Sequence, residues 1–73
     1  MTTLIKKIAR DVVRDSVIST IRLPVPQGSY HFETMVFGGP LDGTQMRYSS
    51  IERANHGHVK MVGKVIKAYH AIK

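Results

Sequence analysis

The sequence predicts an α+β fold, a small antiparallel sheet of two or three strands packed against one long C-terminal helix. Three observations predict it. Ile51, Ala54, His58, Met61, Val62, Val65 and Tyr69 recur at intervals of three and four through the last third of the chain, the period of one side of a helix. Residues 16–23 and 30–37 are rich in β-branched and aromatic side chains, which fit a pleated strand better than a helix. A turn-rich stretch, Gly38-Gly39-Pro40-Leu41-Asp42-Gly43, then leads to a third short run over residues 44–48, the arrangement of an antiparallel hairpin.

Taken in order, residues 4–15 are predicted as a short amphipathic helix capped by Thr2 or Thr3. Ile5, Ile8, Ala9 and Val12 line one side of it, and Lys7, Arg10 and Arg14 the other. It is about three turns long, and isolated helices below ~12–15 residues are marginal in water. It therefore docks on the rest of the protein or stays mobile until a partner orders it. In the first strand Val17, Ser19, Ile21 and Leu23 share a face. Pro24-Val25-Pro26-Gln27-Gly28 ends that strand as a loop, because two prolines one residue apart impose an extended, non-helical connection. In the second strand Tyr30, Phe32, Thr34 and Val36 oppose His31, Glu33, Met35 and Phe37. Both faces carry apolar groups, so alternation leaves open which is inward. In the third strand Met46 and Tyr48 oppose Gln45 and Arg47.

The long helix opens at Ser49, an N-cap with Glu52 three residues on in the capping-box pattern. Running from 50 to 72 it spans ~33 Å at 1.5 Å per residue. Gly57 and Gly63 each weaken it by up to ~1 kcal/mol relative to alanine, which is explained if they allow a close approach to the sheet, a bend near Gly57 being the alternative. The predicted core is Ile21, Phe32, Val36, Met46, Tyr48, Ile51, Ala54, Met61, Val62, Val65 and Tyr69.

The 73 residues form one domain, 1–73, and carry eleven Lys and Arg against five Asp and Glu, a net charge of +6. Such a balance favours an anionic partner: nucleic acid, an acidic protein surface or anionic lipid. With no cysteine, no disulfide framework, thiolate metal site or thiol nucleophile is available. No apolar run reaches the ~20 residues of a membrane span, and Lys6, Lys7 and Arg10 interrupt any secretory apolar region. The chain reads as soluble and intracellular.

Three constellations that resemble chemistry reduce to structure. The glycine-rich loop has neither the spacing nor the lysine of a phosphate-cradling loop and leads into a strand. His56 and His58, two apart on a helix, point ~200° apart and do not share a metal. His58 falls in the apolar stripe as a packed or hydrogen-bonded core residue, and His56 falls in the basic one. The five acids are scattered without visible pairing, so no enzyme, cofactor or small-molecule ligand is expected. The strongest signal is the basic helix face of Arg53, Lys60, Lys64 and Lys67, in a segment from Ser49 onward whose only acid is Glu52. A purely solvated face more often mixes both signs. With Lys6, Lys7, Arg10 and Arg14, these four residues are the candidate partner-binding residues.

The stretch Tyr30-His31-Phe32-Glu33-Thr34-Met35-Val36-Phe37-Gly38-Gly39-Pro40-Leu41-Asp42-Gly43, followed by Arg47-Tyr48 and the basic helix, is similar to short reading frames of phages and prophages. The whole chain resembles, in size and charge, small phage-encoded transcription regulators of the Xanthomonas phage type. This resemblance implies a non-enzymatic regulator in the cytoplasm of the infected bacterial host. It would bind the host RNA polymerase at the β′ subunit near its N-terminus and at the β flap, beside the RNA exit channel. It would inhibit initiation by displacing the sigma factor and promote antitermination, with nascent RNA or DNA as further contacts. The alternative is a small basic nucleic-acid-binding protein, dimeric or not, acting through its C-terminal helix.

Overall fold

A computed structural model of the chain describes residues 6–72. Four strands, β1 (Lys6–Val13), β2 (Ser16–Gln27), β3 (Tyr30–Phe37) and β4 (Gln45–Tyr48), precede one helix, α1 (Ile51–Ala71). The strands form a single antiparallel sheet in the order β1-β2-β3-β4. The α+β class and the C-terminal helix are as the sequence predicts, but the sheet has one strand more.

That extra strand is β1, in place of the predicted N-terminal helix. The proposed caps, Thr2 and Thr3, and residues 4 and 5 lie outside the described residues. From Lys6 onward the segment pairs with β2, from Lys6↔Arg22 to Val13↔Ser16, with a register shift between Lys7 and Ala9. The spacing of Ile8 and Val12 suits a helix, but a short helix is marginal alone, whereas the free edge of β2 offers a ladder of backbone hydrogen bonds. Arg14 turns the chain with φ of 52°. The 24–28 segment also differs from expectation. Pro24, Val25, Pro26 and Gln27 extend β2, regaining a pairing only at Gln27↔Tyr30. Prolines are tolerated there because a stretch outside the regular ladder needs no N–H donor.

The β3–β4 hairpin closes through Gly43 N–H to the Val36 carbonyl and Val36 N–H to the Thr44 carbonyl, both 2.9 Å. Gly38 and Gly39 adopt φ of 82° and 77°. A side chain at Gly38 would strike the Asp15 carbonyl, and one at Gly39 would strike Ser16 Oγ and the Tyr69 hydroxyl. Both positions thus need glycine for conformation and for space. Tyr69 ties this corner together, its hydroxyl 2.9 Å from Ser16 Oγ and accepting the Asp15 N–H at 3.2 Å.

The helix begins one residue later than expected. Ser50, in extended conformation, is the N-cap, and its side chain accepts the Arg53 N–H at 3.2 Å. The helix lies against the sheet face bearing Ser16, Ile18, Thr20, Phe32, Thr34, Val36 and Tyr48, all buried. Two apolar clusters result: Ile18, Val36, Met61 and Val65 at one end, and Phe32, Tyr48 and Ala54 at the other. Val62 and Tyr69 pack partly against the first cluster.

Three predicted core residues do not belong. Ile21 pairs with Glu33 in the row facing away from the helix. Ile51, in the first turn, is 38% exposed, and Met46, on the edge strand, is 47% exposed. Ile18 takes the place of Ile21, since the strand's other face turns inward. Val65 has no exposed surface, so Val65→Ala should lower the free energy of unfolding by about 1–3 kcal/mol in urea melts. An unchanged midpoint would remove Val65 from the core.

Candidate binding groove

Two elements make a groove, the edge strand β4 and the flank of α1 beside it. Tyr48 packs against Gly57, where a methyl group would overlap its ring, so the expected close approach is realised at Gly57. It is not realised at Gly63, where an added Cβ meets nothing within 4 Å. Met46 pairs with Thr34 and so belongs to the helix-facing row, but on the edge strand it is left half exposed. The space between Met46, Tyr48, Met61 and the helix flank has a volume of about 450 Å³, within the range of ligand-binding clefts.

Arg53, His56, Lys60 and Lys64 line the helix side of this space, with Glu52 as its acid. Arg47 lines the β4 side, but its Nε is committed to Glu33 Oε2 at 3.0 Å. Three of the eight predicted partner-binding residues, Arg53, Lys60 and Lys64, therefore meet here. Lys67 is exposed farther along α1, beyond the groove lining. Lys6, Lys7 and Arg10 are exposed on β1, at the opposite edge of the sheet. Arg14 sits in the β1–β2 turn with its guanidinium 5.6 Å from the Tyr69 ring centroid, in cation–π range. The eight cations do not form one surface, and His56, Met46 and Tyr48 join the three that meet.

The Tyr48 hydroxyl is buried without a hydrogen-bond partner among the described residues. An unsatisfied buried hydroxyl costs roughly 1–3 kcal/mol. Tyr48→Phe should therefore leave stability unchanged or raise it by up to about 1 kcal/mol in thermal or urea unfolding. A loss larger than that would mean that the hydroxyl has a partner.

A second constellation lies in the core, as a polar layer between the two apolar clusters. His58, 3% exposed, has Nδ1 2.6 Å from Thr20 Oγ1 and Nε2 2.7 Å from Asp11 Oδ2. Thr20 Oγ1 is 2.5 Å from Thr34 Oγ1. With Nε2–H donating to the Asp11 carboxylate, Nδ1 accepts the Thr20 hydroxyl, which in turn accepts that of Thr34. All three side chains beneath the helix are then satisfied. The order acid, imidazole, hydroxyl is that of a hydrolase triad, but Thr20 and Thr34 are fully buried, which leaves no place for a substrate atom beside either hydroxyl. The sequence places His58 in the core but does not reveal its partners. The only signal is that Thr34 and His58 each interrupt an apolar period.

Among the described residues no group of three or more His, Cys, Asp or Glu side chains could hold a metal ion, and no helix is long and apolar enough to cross a membrane. Comparison with family models, curated proteins and solved structures finds no match to this chain.

Proposed function

We propose that the protein is a non-enzymatic regulator that binds the RNA polymerase of a bacterial host, at its β′ and β subunits, through the groove between β4 and α1. On this reading it acts in the cytoplasm of the infected cell, inhibits initiation by displacing sigma and promotes antitermination. The observation that carries the binding role is the gathering of Arg53, His56, Lys60 and Lys64 on one wall of a groove with an apolar floor. The choice of polymerase rests on the resemblance to small phage regulators. An RNA exit channel handles an anionic transcript, so a basic protein beside it is electrostatically suited to the place. The test is capture of purified core polymerase, with and without sigma, on immobilised protein. Retention of core enzyme, reduced by the double change Lys60→Glu and Lys64→Glu, is the expected result. No retention in either form rejects the reading.

Direct nucleic-acid binding is favoured by one feature. Arg53, Lys60, Lys64 and Lys67 continue as a row of about 21 Å along α1 at 1.5 Å per residue, longer than the groove. Phosphate contacts of this kind predict binding to DNA or RNA alone that falls steeply with salt. They also predict that Lys60→Glu weakens all sequences equally.

A further inference from the structure

The groove's chemistry distinguishes among anionic partners. Single-stranded nucleic acids are held by stacking bases on exposed aromatic faces as well as by charge. The groove offers little of this, because its Tyr48 ring is 9% exposed and packed under Gly57, and of its ring side chains only the small imidazole of His56 is exposed. A duplex presents a convex, uniformly charged surface and has nothing to place in an apolar cavity. The accessible apolar surface is instead Met46, 47% exposed, with the largely buried Met61 and Tyr48 side chains behind it. Thioether side chains are flexible and polarizable and suit apolar protein side chains of varied shape. The cationic wall stands beside this surface, so one ligand must satisfy both.

We propose that the groove is a peptide-binding site, whose ligand is a partner segment carrying one or two large apolar side chains flanked by Asp and Glu. The apolar side chain packs on Met46 beside the buried Met61. The flanking carboxylates meet Arg53, Lys60 and Lys64. Glu52 stands at the N-terminal end of this wall and disfavours acidic residues there. The inference rests on the reading of the groove as the functional surface and specifies what occupies it. A segment of RNA polymerase is one possible source.

The experiment is a titration of the isotopically labelled full chain, followed by amide NMR shifts, with three probes. These are a short acetylated peptide with a central Leu-Phe pair flanked by Asp and Glu, the same peptide with Ser replacing Leu and Phe, and an oligouridylate of equal charge. Saturable shifts at the Tyr48, Gly57 and Met61 amides are expected at the lowest concentration with the first probe. Affinity should fall at least about tenfold in the serine peptide and in the exposed variant Met46→Glu, as expected for loss of a buried apolar anchor. Unchanged amide positions across β1 and β2 would show that Met46→Glu is folded. Equal binding of both peptides, tighter binding of oligouridylate, or binding by none of the three overturns the proposal. The same variant separates the two readings on polymerase. Capture of polymerase unaffected by Met46→Glu sinks the groove and leaves polymerase binding standing. Peptide binding without polymerase capture supports the groove and rejects the polymerase.

Discussion

His58→Ala should destabilise the protein by about 3–5 kcal/mol, the sum of a cavity under the helix and the loss of its hydrogen bonds to the buried Thr20 hydroxyl and the Asp11 carboxylate. Among the described residues His58 is the helix side chain hydrogen-bonded to the polar layer, so its removal leaves the Thr20 and Thr34 hydroxyls beneath an empty space with each other as described partners. Asp11 contributes less to the loss because its side chain is 57% exposed and water replaces the imidazole. The two threonines should rank differently. Thr34→Val removes the end of the chain and should cost about 1 kcal/mol, whereas Thr20→Val strands both His58 Nδ1 and the Thr34 hydroxyl and should cost about 2–3 kcal/mol. Urea unfolding of the three variants checks the order, with the slope m confirming an unchanged transition. If His58→Ala lay within about 1 kcal/mol of the parent, the polar layer would not be holding the helix to the sheet.

Gly57→Ala and Gly63→Ala should move stability in opposite directions although both exchange the same residues in the same helix. Alanine gains up to ~1 kcal/mol of helix propensity at either site. At Gly63 an added methyl meets nothing within 4 Å, so that gain appears in full. At Gly57 the methyl overlaps the Tyr48 ring, which is held between sheet and helix and cannot swing into solvent without uncovering Phe32 and Ala54. Overpacking at such a site should cost about 3 kcal/mol after the propensity gain, at the upper end of the usual range. Thermal melts of the pair are the measurement. A Gly57→Ala protein as stable as Gly63→Ala would mean that the helix does not approach Tyr48 so closely. Because Gly57 also lines the groove, Gly57→Ala should weaken any ligand held there.

What local pattern made legible is specific. The helix was readable because one 3.6-residue period of apolar positions, broken by His58, runs from Ile51 to Tyr69, and Ala54, His58, Met61 and Val65 are the residues it buries. The hairpin was readable because Gly38 to Gly43 cannot continue a strand. The cationic stripe was readable by the same period, and three of its members, Arg53, Lys60 and Lys64, do meet in the groove. The N-terminal segment misled because Ile8 and Val12 are compatible with both periods, and only β2 as a neighbour decides between them. Ser49 and Ser50 are equivalent as letters, and only the bond to the Arg53 N–H distinguishes the cap.

The sequence by itself determined the α+β class, the alternating faces of β3 and the two sides of α1, because each follows from a period along a single segment. Tertiary structure alone decided what lies opposite each face. It turned Ile18 and not Ile21 inward, assembled Asp11, His58, Thr20 and Thr34 from four elements, and left Met46 uncovered beside a cationic wall. The reason is physical: periodicity specifies which side chains point the same way, whereas burial and binding depend on a partner surface many residues distant. In this chain both the layer that organises the core and the groove proposed to bind a partner are made of such long-range pairings.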